Sequence, residues 1–394
     1  MGEDNTTGED KREVDIVSVF RSRPALRWLV PSAAAVVVIG GGAAAGTIAA
    51  SADPSLPARS AAQLLVDVQN AKVDGLSGTV VETADLGLSA IAGLGSGGAD
   101  LTKLIAGSNT ARVWYAGADK ARVALLGTLG ETDVIRNGDD VWMWRSADNS
   151  ATHVTLPART AKTPSAAPAG IPSTPKEAAD AALAAIDPTT SVTTTGAASV
   201  AGRDAYELVL APKDTGSLIG QVRLAIDAGT HIPLRVEVYA KGANNPAVRV
   251  AFQQISFAVP DAEQFAFNPP AGAKVTTQSP ADLEKAAGEA HTEAGKAKAE
   301  AKQDKGAEPK VVGKGWTSVL VAKLPSDKAT DKATDKGAEA AQVQGLLDAL
   351  PKVSGAWGSG RLLAGSLFSV LITDDGTVLA GAVAPEKLYE AAGK

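Results

Sequence analysis

Histidine is the residue type in this chain that could act as a general base or bind a metal near neutral pH. His153, His231 and His291 lie in three separate segments, and none has the H-x-x-x-H spacing that sets two imidazoles on one helix face. The chain contains no cysteine, so thiolate metal sites, disulfides and a lipidated N-terminal cysteine are excluded. We therefore expect no metal and no cofactor.

Paired aspartates are a second group that could do acid–base chemistry. Asp139-Asp140 and Asp374-Asp375 stand where hairpin turns are expected, and aspartate is favoured in turns because it hydrogen-bonds the local backbone. The glycine cluster at 93–98 follows no parallel strand that would make it a phosphate loop, and no G-x-S-x-G elbow is present. The sequence indicates a binding protein and not an enzyme.

Composition limits the partners. The net charge is −6 and the basic residues are not clustered, which excludes nucleic acid as a predicted partner. A length of 394 residues leaves room for two domains and tails. The high alanine content and the Ala-Lys-Glu inserts are typical of a high-GC actinobacterium.

Residues 28–52 carry no charge and are long enough to cross a bilayer as a helix. Asp53 is the first charge after this segment, so the positive-inside rule predicts a single-pass protein in the cell membrane, with a cytoplasmic N-terminus and an extracytoplasmic main domain. Ala50-Ser51-Ala52 resembles a cleavage site, and a removed signal peptide is the alternative. The basic residues before the segment are Lys11, Arg12, Arg21, Arg23 and Arg27.

The domain organisation follows from composition shifts. Alanine, lysine and glutamate dominate 276–309, and Asp-Lys-Ala-Thr repeats fill 325–341, so neither stretch has the large apolar residues that a core needs. The predicted units are a cytoplasmic tail at 1–27, the anchor at 28–52, a lipid-binding domain at 60–275, a linker at 276–309 and a small C-terminal domain at 310–394 with an insert at 325–341.

Period-two alternation predicts strands in the larger unit. Val222, Leu224 and Ile226 alternate with polar residues, as do Val248, Val250 and Phe252, which is typical of a sheet with one apolar and one polar face. Amphipathic helices are predicted at 60–72 and 175–186. The expected fold is α+β, a half-open antiparallel β-barrel covered by helices, followed by a small α+β domain.

A glycine-rich apolar segment at 85–108 is predicted either to form a mobile lid or to pack as a loop on the core. A curved sheet with one apolar face can enclose an acyl chain, although side chains could also fill the interior. The residues predicted to line the cavity and lid are Leu88, Ile91, Leu101, Ile105, Trp142, Trp144, Leu224, Val236 and Val250.

Three stretches resemble the LolA-like lipoprotein-carrier family. These are the helix leading into KVDGLSGTV at 72–80, the stretch at 207–242 with Asp227 before Pro233-Leu234-Arg235, and the stretch at 248–275 with Phe265-x-Phe267-x-Pro-Pro. The resemblance implies a helix-covered half-barrel that binds acyl chains of lipids or lipoproteins and carries no catalytic residues.

GSLFSVLITDDG at 365–376 is similar to the small domain of RseB/MucB-like sigma-factor regulators. This resemblance implies a second function, in which an envelope sensor regulates an anti-sigma factor or another membrane signalling protein by direct contact. The N-terminal anchor and the two low-complexity inserts depart from that subgroup. The partners expected are therefore a lipid or acylated lipoprotein, the membrane, and an anti-sigma factor or membrane signalling protein.

Overall fold

The structure is a computed structural model. It describes residues 56–88, 106–127, 130–156, 188–279, 309–323, 347 and 349–393. Within these ranges no helix has the length and apolarity to cross a membrane. The predicted anchor at 28–52, the helix at 175–186 and most of the two low-complexity stretches lie outside them.

The larger unit is an open, mostly antiparallel sheet of twelve strands. Its strands are β1 (Leu76–Asp85), β2 (Ala106–Tyr115), β3 (Lys120–Leu126), β4 (Glu131–Asn137), β5 (Asp140–Arg145), β6 (Ser150–Thr155), β7 (Thr190–Val200), β8 (Arg203–Pro212), β9 (Ile219–Asp227), β10 (Pro233–Ala240), β11 (Pro246–Ser256) and β12 (Lys274–Gln278). The order is β12-β6-β5-β4-β3-β2-β1-β11-β10-β9-β8-β7. β12 pairs with β6 in parallel, which corrects the expectation of a wholly antiparallel sheet.

Tight turns connect neighbouring strands where the sequence predicts them. Asn137 and Asp140 pair at the end of the β4–β5 hairpin, and Gly138 between them has φ +65°, a conformation that side-chain-bearing residues disfavour. After β9, the buried Asp227 carboxylate accepts hydrogen bonds from the backbone N–H and hydroxyl of Thr230 and from Arg203. Burial alone would raise the pKa of Asp227, but these hydrogen bonds outweigh it and lower the pKa.

Helix α1 (Ala61–Asn70) packs on β7 and β8 at one end of this sheet. It begins with a capping box, in which the Ser60 hydroxyl accepts from the Gln63 N–H at 3.2 Å and the Gln63 side chain accepts from the Ser60 N–H at 2.9 Å. The buried Leu64 and Leu65 side chains form a core cluster with Tyr206, Leu208 and Ile226.

A second, six-stranded sheet and one helix form the C-terminal unit. They are β13 (Lys310–Val312), β14 (Val319–Lys323), β15 (Lys352–Gly355), β16 (Gly358–Ala364), β17 (Ser369–Thr373), β18 (Thr377–Gly381) and α2 (Pro385–Ala392). Leu388 of α2 is fully buried against Leu371 and Leu379. The turn expected at Asp374-Asp375 is confirmed, because it joins β17 and β18 as an antiparallel hairpin.

The two sheets are joined by direct polar contacts. The Leu218 N–H donates to the Ala382 carbonyl at 2.8 Å, and the Trp316 indole N–H donates to the Thr190 hydroxyl at 2.7 Å. The Ser366 N–H donates to the Leu86 carbonyl at 2.8 Å. The C-terminal unit therefore contacts the larger sheet at the β8–β9 connection, at β7 and just after β1.

Candidate ligand-binding face

One face of the large sheet carries a row of directly paired apolar residues, and we call it the apolar face. Leu208, Leu224, Val236 and Val250 occupy successive strands β8, β9, β10 and β11 as cross-strand neighbours. At about 4.8 Å between strands, this row spans ~14 Å. Three residues predicted from the sequence to line one cavity, Leu224, Val236 and Val250, are therefore brought together.

The same row continues into a buried polar pair that the sequence reasoning missed. Glu82 on β1 pairs with Val250 on one side and with Asn109 on β2 on the other. Glu82 is 4% exposed, and its Oε2 accepts a hydrogen bond from Asn109 Nδ2 at 2.5 Å. Burial raises the pKa of Glu82, and the hydrogen bond from Asn109 opposes that shift only in part.

Beyond β2, the apolar face becomes more accessible. Val113, Val123, Val134 and Met143 are direct cross-strand neighbours on β2, β3, β4 and β5. Val134 is 39% exposed and Met143 is 45% exposed, which is unusual for large apolar side chains in neighbouring positions. An apolar chain could cover this ladder and remove it from water.

The opposite side of the sheet is the charged face. Arg223, Glu237 and Arg249 pair directly across β9, β10 and β11. Arg235 Nη2 lies 2.8 Å from Glu207 Oε1, and Arg249 Nε lies 3.4 Å from Glu237 Oε1. Across β9, β10 and β11 the predicted alternation of one apolar and one polar face is therefore confirmed.

Trp142 and Trp144 lie on the charged side and not on the apolar face. Both side chains lie on the same side of β5. Trp142 pairs with Ile135 on β4, Ile135 pairs with Arg122 on β3, and Arg122 pairs with Trp114 on β2. Trp114 points to the opposite side of β2 from Asn109, which belongs to the apolar face. The Phe267 ring covers both tryptophans, at centroid distances of 5.3 and 6.1 Å. The grouping of the tryptophans with Leu224 is corrected: Met143 is the exposed apolar side chain of β5 on the apolar face.

The lid prediction falls mostly on residues that the structure does not describe. Ile91, Leu101 and Ile105 lie outside the described ranges. Leu88 is described and buried at 6% exposure, and it follows Leu86, whose carbonyl accepts the hydrogen bond from Ser366. This end of the segment packs against the C-terminal unit, so the lid itself stays a prediction.

The two described histidines, His153 and His231, each lie beside an aspartate or an aromatic ring of the fold. His153 Nε2 lies 2.7 Å from Asp140 Oδ1 while its ring stacks on Trp142, and His231 Nε2 lies 3.9 Å from Asp67 Oδ2. Within the described ranges there is no group of three or more His, Cys, Asp or Glu that could hold a metal ion. The chemistry that the face offers is apolar contact, with the buried carboxylate of Glu82 at the end of the apolar row and the arginines Arg136 and Arg145 beside Val134 and Met143.

A family model matches the strands that build this face. Residues 105–271 match the MucB/RseB N-terminal domain. The resemblance to RseB/MucB-like proteins is thereby confirmed. The MucB/RseB match covers β2 to β11 of the large sheet and leaves out β1 and β12. The likeness to the small regulator domain at 365–376 lies outside the matched residues and stays a prediction.

Solved structures similar to the chain include a MucA/MucB complex and a lipoprotein. The Pseudomonas aeruginosa MucA/MucB complex is 14% identical, over 84% of this chain and 96% of that chain, with a TM-score of 0.38. The Mycobacterium tuberculosis lipoprotein LppX is 9% identical, over 48% of this chain and 92% of that chain, with a TM-score of 0.25. No curated protein matches the chain. With TM-scores below 0.5, neither likeness carries a conclusion beyond the MucB/RseB match.

Proposed function

We propose that this chain is an extracytoplasmic, membrane-anchored binding protein that holds the acyl chains of lipids or lipoproteins on its apolar face. It performs no catalysis in this account. The MucB/RseB match and the LolA-like resemblance support a role in the cell envelope, and the uncharged segment at 28–52 supports the anchor. The acyl ligand is proposed from the chemistry of the face itself.

The observation that carries the proposal is the exposed apolar ladder. Val134 and Met143 are half-exposed neighbours that continue the apolar face beyond the part on which α1 packs. Covering apolar surface stabilises a complex by roughly 25 cal/mol per Å², or about 0.8 kcal/mol per buried methylene. A flexible alkyl chain supplies such contact without needing matched polar groups.

Photo-crosslinking of the full chain in its own membranes tests the proposal. A fatty acid that carries a diazirine on its alkyl chain is added and illuminated, and the labelled peptides are identified by mass spectrometry. We expect label on the peptides of β4 and β5, in addition to label on any anchor that lies in the bilayer. Label restricted to the anchor would contradict acyl binding by the sheet.

Matched variants sharpen this test because the chain offers the same residue on both sides of the sheet. Val134→Glu places a charge on the apolar face and should reduce labelling of β5 at least tenfold. Val275 lies on β12, pairs with Ala151 on the charged side, and is 48% exposed, so Val275→Glu should leave the labelling unchanged. Equal loss in both variants would indicate a general effect on folding.

A second function, regulation of a membrane signalling protein such as an anti-sigma factor, is favoured by one feature of the C-terminal unit. Val311 and Leu320 pair directly on β13 and β14 and are 62% and 46% exposed. Exposed paired apolar residues at a sheet edge are typical of protein contacts. Chemical cross-linking in membranes, followed by mass spectrometry of the cross-linked proteins, should find an anti-sigma factor attached to the native chain but not to the Leu320→Asp variant. Val259→Asp, an equally polar change at another exposed residue, should keep the cross-link.

A further inference from the structure

The carboxyl group of Glu82 is in an unusual position for an acid. It lies at the end of the apolar row, next to Val250, with Asn109 as its cross-strand neighbour. Among the residues that the structure describes, no basic side chain forms an ion pair with it, and its Oε1 accepts no hydrogen bond. The nearby arginine on β11, Arg249, is directed to the other face, where it pairs with Glu237.

Such an arrangement costs free energy in the unliganded protein. A buried carboxylate without a counter-charge loses hydration and regains little of it from one neutral amide donor. The same position would be favourable if a bound molecule brought the missing donors and the missing charge. Val250, Val236 and Leu224 continue for ~14 Å from the carboxyl, so a positive group here would have its apolar chain on the row.

We propose that the apolar face binds an amphiphile whose alkyl chain lies along this row and whose primary ammonium group donates hydrogen bonds to Glu82. The inference rests on the proposed acyl-binding function and adds the headgroup class to it. Glu82 accepts from the ammonium through Oε1, while Asn109 holds Oε2 and fixes the orientation of the carboxyl. A carboxylate headgroup at the same place would be repelled.

The experiment is a competition on the full chain with the photoreactive fatty acid described above. Dodecylamine, dodecanol, dodecanoate and dodecyltrimethylammonium are compared, each below the concentration at which it forms micelles. We expect the probe to label β9, β10 and β11 as well as β4 and β5, and dodecylamine to halve the labelling of β9 to β11, which carry Leu224, Val236 and Val250, at a concentration at least tenfold below that of dodecanol. Dodecanoate and the trimethylammonium compound, which has no N–H, should be no better than dodecanol.

Glu82→Gln is the decisive variant, since it keeps the shape and the hydrogen bond from Asn109 but removes the charge. In this variant the concentration of dodecylamine that halves the labelling should lie within twofold of that of dodecanol, and the value for dodecanol should be unchanged. Glu263→Gln, an exposed acid in the segment after β11, makes the same change in net charge and should keep the preference for the amine.

The outcomes separate this inference from the function on which it rests. If all four compounds compete equally in the native chain, or if the amine preference survives Glu82→Gln, the headgroup assignment is overturned and acyl binding stands. If the preference is for the charge alone, so that the trimethylammonium compound matches the amine, hydrogen bonding to Glu82 is overturned. If no compound competes and the sheet takes no label, acyl binding and the headgroup assignment both fail.

Discussion

At the scale of single residues, two buried acids in the large sheet have opposite consequences. Asp227 is surrounded by donors, from Arg203, Gly229 and Thr230, and its pKa is lowered. Glu82 has one neutral donor among the described residues, and its pKa is raised because burial outweighs that hydrogen bond. Asp227 therefore stabilises the fold as an ionised group, whereas ionised Glu82 weakens it.

Asp227→Asn should destabilise the chain by ~2 kcal/mol at neutral pH, because the amide presents a donor where Arg203 and Thr230 already donate. Since the folded-state pKa of Asp227 is lowered, its contribution is present above the unfolded pKa and is lost as the pH falls through the folded pKa. Urea unfolding at several pH values measures this. The difference in free energy of unfolding between the native chain and Asp227→Asn should shrink at acidic pH. A difference that stays constant with pH would contradict the stabilising role of ionised Asp227.

Glu82→Gln should behave in the opposite sense and raise the free energy of unfolding by about 1 kcal/mol at neutral pH. A raised folded-state pKa means that the contribution of Glu82 is fully present below its unfolded pKa and declines as the pH rises through the folded pKa. The gain should therefore be absent below the unfolded pKa, grow as the pH rises through the folded pKa, and be complete above it. A variant less stable than the native chain at neutral pH would show that the carboxylate is already compensated in the fold.

The residue scale also shows where sequence reasoning stops. Leu224, Val236 and Val250 were predictable as neighbours, because alternation assigns them to one face of strands that pair in chain order. Trp142 was misassigned, since alternation along β5 gives which residues share a side but not which side faces α1. Glu82 was missed because a glutamate between Val81 and Thr83 has the ordinary pattern of an outward-facing strand residue.

At the scale of elements, the strength of the local sequence signal differs from one element to the next. Apolar alternation marks β3, and a proline stands at the start of α2. Most of β7 was missed because its threonines, alanines and glycine carry little apolar periodicity; its pairing with β8 holds it in the sheet. The parallel pairing of β12 with β6 joins distant segments and has no local signal.

Helix α1 stabilises the sheet mainly through two side chains, and this gives an element-scale prediction. Leu65 is 1% exposed and packs with Leu64 against residues of β8 and β9. Leu65→Ala should lower the free energy of unfolding by ~2–4 kcal/mol through lost apolar contact and a residual cavity. Gln69→Ala on the exposed side of the helix should change it by less than ~0.5 kcal/mol. Circular dichroism during denaturant unfolding measures both; equal effects would contradict the packing.

At the scale of the whole molecule, the two sheets contact each other at places that the sequence does not reveal. Their hydrogen bonds join residues far apart in the chain, such as Thr190 with Trp316 and Leu218 with Ala382. The Ser366 contact reaches the start of the glycine-rich segment that was predicted to form a lid. Composition predicts the division into two units, whereas their mutual contacts depend on the completed fold.

The central claim is that an acyl chain covers the apolar face, and the absence of native cysteine makes a direct measurement simple. Met143→Cys and Val275→Cys each introduce one thiol, on opposite sides of the sheet at 45% and 48% exposure of the native residues. The rate of maleimide modification of the full chain is measured with and without a long-chain fatty acid. The account predicts that the fatty acid slows modification at position 143 at least fivefold and leaves position 275 unchanged. Equal rates at position 143 with and without the fatty acid would contradict it.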